Sequence, residues 1–316
     1  MILTPGKLLI LAKWFLTGLP TTVAVDITHR CNLKCVHCYW WKQDHPPELD
    51  DNRMIAFLKG LRDSGLRAAI LYGGEPTLRP KVCRAAGEIF DATLAFTNGT
   101  NGFPRLRNVQ WILSLDGPEE LNDAIRGAGV YARAVENLKK ASQPPIVHMT
   151  LSRLNQHSLK AFVREMMELP VKGIGFSFFT PDVTTDDSGL FIPLKERDRL
   201  VMELLALREH YGERVGFTPA MARQLLTTGE FFKWNSYAAC PVSRHIRCFK
   251  SNGQPKACTY GDTADCSRCG CAAVVAYRGA FKPFDYSTLR LVLGLLIPEA
   301  RVRRGRCRMP VGGFSF

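Results

Sequence analysis

Between residues 21 and 179 short apolar runs alternate with helical patterns, and this alternation constrains the fold more than any other feature of the chain. TTVAVDIT (21–28), AAILY (68–72), TLAFT (93–97), VQWILSLD (109–116), IVHMTLS (146–152) and GIGFSFF (173–179) read as strands. Segments 51–65, 81–90, 131–142 and 159–169 carry the apolar period of amphipathic helices, the first with Gly65 as its stop signal. Strands alternating with helices imply a parallel sheet, and continuously apolar strands imply burial on both faces. In parallel α/β folds, sites assemble beyond the carboxyl ends of the strands. The residues that look chemical fall there: Cys31 to Cys38 after the first strand, GGEP (73–76) after the second, TNGT (97–100) after the third, and Asp116-Gly117 after the fourth.

The rest of the chain reads differently. Residues 193–212 form a long helix, 237–271 a cysteine-rich stretch of loops, and 287–296 an amphipathic helix. Residues 7–20 (KLLILAKWFLTGLP) suggest another short amphipathic helix; Lys13 and the lack of an A-x-A-like site argue against a signal peptide. The divisions expected are an N-terminal helix at 1–20, a core at 21–185, a helical linker at 186–236, a cysteine-rich region at 237–275, and a final helix with a basic tail at 276–316. No apolar run reaches the ~18 residues of a spanning helix.

The chain has 11 cysteines. Without an export signal, clustered cysteines point to metal binding or redox chemistry in a reducing cytoplasm rather than to disulfides. Three lie at 31–38 and six at 240–271, while Cys83 and Cys307 stand alone. The net charge of +13 owes much to Arg301, Arg303, Arg304, Arg306 and Arg308. Such a run suits anionic lipid, a phosphorylated substrate or nucleic acid, or is simply a solvated tail. Together with the apolar first helix it is compatible with a peripheral membrane contact.

The first cysteines are spaced C-x3-C-x2-C. A structural zinc site takes four protein ligands; His29 and His37 are near, but His37 sits between Cys35 and Cys38 and would strain to share their metal. A [4Fe–4S] cluster held by three thiolates keeps one iron open for a small molecule.

CNLKCVHCY, with DITHR before it and Tyr39 closing it, resembles the signature of the radical S-adenosylmethionine (radical SAM) enzymes. GGEP resembles that family's loop for the methionine amino group. TNGT and SLDGPEELNDAIRG (114–127) resemble the segments after strands three and four in the branch carrying auxiliary clusters. The resemblance implies a partial (β/α)6, TIM-like barrel with a small cysteine-rich C-terminal appendage. It implies an enzyme in which Cys31, Cys35 and Cys38 hold a [4Fe–4S] cluster whose open iron chelates S-adenosylmethionine. A one-electron reductant such as flavodoxin or ferredoxin supplies the electron, and cleavage gives a 5′-deoxyadenosyl radical that abstracts hydrogen from, or adds to, a substrate. By the same resemblance Gly73, Gly74 and Glu75 meet the methionine end, Ser114 and Asp116 lie near the ribose or carboxylate, Asn98 lines the substrate side, and Tyr39 packs by the adenine.

The second group begins at Cys240, and C-x12-G-x4-C (Cys240, Gly253, Cys258) resembles the hairpin of SPASM and twitch auxiliary-cluster domains. That implies one auxiliary [4Fe–4S] cluster on Cys240, Cys258, Cys266 and Cys269, with Cys248 and Cys271 competing; zinc is the alternative. Peptide or protein modification is the expected activity. An isoprenoid or membrane-lipid substrate and a small-molecule biosynthetic step are the alternatives. A non-enzymatic nucleic-acid-binding protein would leave GGEP and SLDGP unexplained. Only 30 residues precede Cys31, too few for a fused leader-peptide-recognition domain.

Overall fold

The structure is a computed structural model and describes residues 21–43, 45–185 and 189–296. The helix expected at 1–20 and the basic tail after residue 300 lie outside the described residues.

Six parallel strands follow in chain order: β1 (Thr22–Thr28), β2 (Ala68–Gly73), β3 (Ala92–Thr97), β4 (Val109–Ser114), β5 (Ile146–Leu151) and β6 (Gly173–Phe178). Between them lie α1 (Asp51–Asp63), α2 (Pro80–Ile89), α3 (Glu119–Arg126), α4 (Val130–Lys140) and α5 (Leu159–Glu168). The order across the sheet is β6-β5-β4-β3-β2-β1-β7-β8, and it does not close on itself. This is the open, partial barrel expected.

Each strand is buried on both sides, as crossover helices require. Outward, Val23, Val25 and Ile27 pack on Met54, Leu58 and Leu61 of α1 and on Val82 and Ala86 of α2. Leu113, Met149, Ile174 and Phe176 pack on Leu138 of α4 and on Phe162, Val163 and Met166 of α5. Inward, Ala24, Ile70 and Cys248 meet Tyr72, Leu94 and Phe96. Local signals fit: the Asp50 carboxylate caps α1 by accepting the Arg53 N–H at 2.8 Å.

The remainder comprises α6 (Leu194–Tyr211), α7 (Pro219–Leu225), α8 (Pro241–His245), β7 (Ile246–Phe249), β8 (Pro255–Lys256), α9 (Ala272–Phe281) and α10 (Tyr286–Leu296). The cysteine-rich stretch contains more order than the loops expected of it. β7 joins the main sheet, pairing parallel to β1 from Thr22↔Ile246 to Val25↔Phe249. β8 turns back antiparallel beside it, and Gly253, at φ +84°, makes the turn. Helix α9 starts directly after Cys271 and runs past residue 275, where a division was expected.

Candidate active site

The loop after β1 alternates. Cys31, Leu33, Cys35 and His37 are half-buried, while Asn32, Lys34 and Val36 between them are exposed. All three thiols, Cys31, Cys35 and Cys38, line one hollow. Burial pushes Cys31 up to about 11 and Cys38 to about 12, and it raises Cys35 as well. Without metal these thiols are protonated, and loading a metal releases protons. The Leu33 N–H donates to Cys31 Sγ at 3.4 Å.

The GGEP loop after β2 lies directly on this loop. Gly74 N–H donates to Thr28 O at 2.9 Å, and Glu75 N–H to Arg30 O at 2.8 Å. A Cβ on Gly73 would stand 2.2 Å from Thr28 O, and one on Gly74 2.1 Å from Arg30 O. Both glycines are required by backbone contact alone. Glu75 is buried and spent on bracing: it accepts from Thr77 N–H (3.0 Å), Thr77 Oγ1 (2.6 Å), Thr97 Oγ1 (2.8 Å) and Asn98 N–H (2.8 Å). Asn98 Nδ2 donates to Asn32 Oδ1 at 2.9 Å, which ties the third strand's loop to the cysteine loop.

After β4, Ser114 faces the barrel interior while Asp116 is fully buried away from it. An Arg126 guanidinium nitrogen stands 2.6 Å from Asp116 Oδ2, His37 Nε2 stands 3.3 Å from the same oxygen, and Thr150 N–H donates to Oδ1 at 3.0 Å. Burial pushes this carboxyl up, but Arg126, His37 and the Thr150 N–H together hold it below the usual carboxylate range. Asp116 thus positions Arg126, which lines the hollow beside Cys35. Arg126 was not singled out in the sequence, although it stands inside SLDGPEELNDAIRG. Tyr39 stacks on Tyr260 with centroids 4.0 Å apart, so one of its faces is already covered.

A hollow of about 770 Å³ joins these parts. Its wall includes Cys31, Cys35 and Cys38 and, facing them, Cys240, Cys258, Cys266, Cys269 and Cys271. The two groups lie more than 200 positions apart in sequence yet open on one space. Cys269 and Cys271 are half-buried, and burial raises both thiols, Cys271 to about 11. Cys248 is placed differently: it is buried on β7, opposite Ala24 and packed with Ile70. The structure also brings in Tyr72, His148 and Ser177, which sequence reading missed because each lies inside a strand.

Both donor sets suit iron–sulfur clusters by their chemistry. Among the described residues no three His, Cys, Asp or Glu side chains converge as ligands of a single ion do. The thiolates of a cubane each take a separate iron and are spaced apart.

Residues 25–166 match the model of the radical SAM superfamily. The AdoMet-dependent heme synthase of Methanosarcina barkeri is 31% identical over 190 residues, 55% of this chain and 54% of that protein. The sporulation killing factor maturation protein SkfB of Bacillus subtilis is 28% identical over 162 residues, 46% of this chain and 40% of that one. The chain thus spans about half, or less, of the length of these relatives. The crystal structure of Streptococcus suis SuiB bound to S-adenosylmethionine shares the fold, with a TM-score of 0.58 at 16% identity over 78% of this chain and 63% of that one. Residues 25–166, which carry the cysteine loop and the glycine loop, thus form a radical SAM domain.

Proposed function

We propose that the protein is a radical SAM enzyme that modifies a peptide or protein, with one auxiliary iron–sulfur cluster. The observation that carries this is the shared hollow: two cysteine groups, the glycine loop and Arg126 open on one space. The peptide assignment is supported by the similarity to SkfB, a maturation protein. The similarity to a heme synthase favours a tetrapyrrole substrate as the second reading.

Cys31, Cys35 and Cys38 would hold the first cluster. When bound, it and S-adenosylmethionine supply reductive cleavage to a 5′-deoxyadenosyl radical, given an electron from a carrier such as flavodoxin or ferredoxin. The chain's own residues orient and enclose. Arg126, fixed by Asp116, provides a cation for the methionine carboxylate, and Ser114 a hydroxyl beside it. Glu75 and Asn98 brace the two loops against each other, so that the thiols and the glycine loop keep one spacing. The largely aliphatic wall excludes water from the reaction space. Cys240, Cys258, Cys266 and Cys269 would hold the auxiliary cluster, with Cys271 the competing ligand; Cys248 is a packing residue of β7. Action in the cytoplasm, with the N-terminal segment and arginine tail touching anionic lipid, completes the proposal. No helix among the described residues is long and apolar enough to cross a membrane.

The test is anaerobic reconstitution with S-adenosylmethionine and dithionite, with deuterium traced from candidate peptides into 5′-deoxyadenosine. Cys35→Ala is expected to abolish 5′-deoxyadenosine, and Cys258→Ala to keep some uncoupled cleavage while losing product. Cleavage that survives Cys35→Ala would overturn the proposal.

A further inference from the structure

The hollow does not stop at the level where the two cysteine groups face each other. It continues down the barrel to Ile146 and Gly173, at the amino ends of β5 and β6, and to Leu291 of α10. Four successive strands contribute an aliphatic tier of Ile70, Leu94, Ile112 and Ile146, and the lining also includes Lys172, Arg208, Glu213, Arg214 and Arg290. The fifth strand of this wall breaks the pattern. β6 carries Gly173 and Gly175 at inward positions, where its neighbours carry large side chains. Gly175 is not there for the backbone: its φ lies outside the left-handed region, and a Cβ would meet only His148 Cδ2, at 3.7 Å. A side chain would fit at this point, and its absence leaves space.

Above this apolar floor stand two polar groups with no partner among the described residues. His148 on β5 uses Nε2, 3.1 Å from Ser177 Oγ. Ser177 Oγ accepts the Ala272 N–H at 3.2 Å; with its own hydrogen turned to His148 Nε2, the ring proton sits on Nδ1. Among the described residues neither His148 Nδ1 nor the Tyr72 hydroxyl on β2 has a hydrogen-bond partner. The Tyr72 ring stacks on Phe96 at 4.7 Å, and Phe96 meets the His148 ring edge-on at 5.8 Å, so the three form one tier around the space. An aliphatic pocket with a few convergent donors at its mouth is the usual form of a small-molecule site.

We propose that the lower barrel is a binding pocket for an uncharged aliphatic limb of the substrate, whose adjoining oxygen accepts hydrogen bonds from Tyr72 and His148. This deepens the assignment of the hollow as the reaction space by naming what reaches beneath it. A charge seated among Ile70, Leu94, Ile112 and Ile146 would lose its hydration to aliphatic side chains, whereas Lys172, Arg208, Glu213, Arg214 and Arg290 line the hollow elsewhere.

The probes are linear 1-alkanols from butanol to decanol, titrated calorimetrically into the reconstituted protein with S-adenosylmethionine and no reductant. Affinity is expected to rise about fourfold per added CH₂ and then to level off at the chain length that fills the pocket. Gly175→Leu is expected to abolish binding of the longer alkanols. Gly175→Ala, a change small enough to be accommodated, is expected to shift the plateau to a shorter chain. Tyr72→Phe is expected to weaken every alkanol by roughly two- to tenfold without changing the slope. Binding independent of chain length, or a series unchanged by both glycine substitutions, would overturn the proposal. Because no reductant is present, a negative result here leaves S-adenosylmethionine cleavage standing, and absence of cleavage leaves the alkanol result standing.

Discussion

Lys256 of β8 and Asp26 of β1, 230 positions apart, form a buried ion pair, with Nζ 2.8 and 2.6 Å from the two carboxylate oxygens. Nζ also donates to Thr259 O at 3.1 Å, next to Cys258. The pair therefore links the first strand of the barrel to the second cysteine group. Lys256→Met leaves Asp26 buried without its ion-pair partner, and is expected to cost about 3–5 kcal/mol. The double variant Asp26→Leu/Lys256→Met is expected to recover most of that loss. Urea unfolding of the three proteins measures both.

Arg126 and Asp116 hold one another in the same way, and Arg126→Ala is expected to destabilise by about 3–5 kcal/mol. Arg126→Lys keeps the charge but loses the planar fork. It is expected to retain most of the stability while weakening S-adenosylmethionine binding at least tenfold, as read by equilibrium dialysis. Unchanged binding in Arg126→Lys would remove the residue from the carboxylate site.

Gly74→Ala drives a Cβ into the Arg30 carbonyl, a backbone atom that cannot swing aside. A loss of about 3 kcal/mol and of iron from the first site is expected. Gly60→Ala is the control. It lies inside α1 with nothing within 4 Å of its Cβ, and a gain of ~0.5–1 kcal/mol is expected from helix propensity.

Burial lowers His148 to about 4. The unfolded chain protonates this histidine below about 6.5, and the folded chain only below about 4. Between those values the unfolded state binds the extra proton, so the contribution is complete above pH 6.5 and is lost as the pH falls toward 4. The loss reaches ~3 kcal/mol. The stability difference between the protein and His148→Gln, followed by urea unfolding from pH 7.5 to 5, is expected to change with that sign. A difference independent of pH would show an exposed or already charged imidazole.

Cys248→Ala is expected to leave iron content unchanged, because Cys248 is buried beside Ala24 in an apolar cluster with Ile70. Cys269→Ala is expected to lose about four irons per chain. Iron and sulfide analysis of the anaerobic proteins distinguishes the two.

The six strands of the barrel were legible because each is a predominantly apolar segment of six or seven residues, and every start observed falls within one residue of the reading. β7 was not legible. IRCF is four residues long with Arg247 inside it, and what makes it a strand is the free edge of β1, a partner absent from its own neighbourhood. Helix α9 escaped because AAVVAYRGAF is apolar on nearly all sides, as suits its packing between α7 and α10, and so shows no amphipathic period. At the site, motif spacing marked the right loops but not the job of each side chain. Asp116 and Glu75 read as cofactor contacts in sequence, yet their acceptor oxygens are spent on Arg126, Thr77, Thr97 and backbone amides. That expenditure depends on residues from other strands, which local sequence does not carry.

The pairing of β7 with β1 also sets a clock during synthesis. Thr22 waits for Ile246, 224 positions later, and at ~5–20 residues per second a ribosome needs roughly 10–45 s to supply it. Throughout that interval the β1 edge of a nearly finished barrel is an open template for any extended chain. The cysteine-bearing hairpin that closes it is thus the nascent protein's seal against self-association as well as a source of thiols.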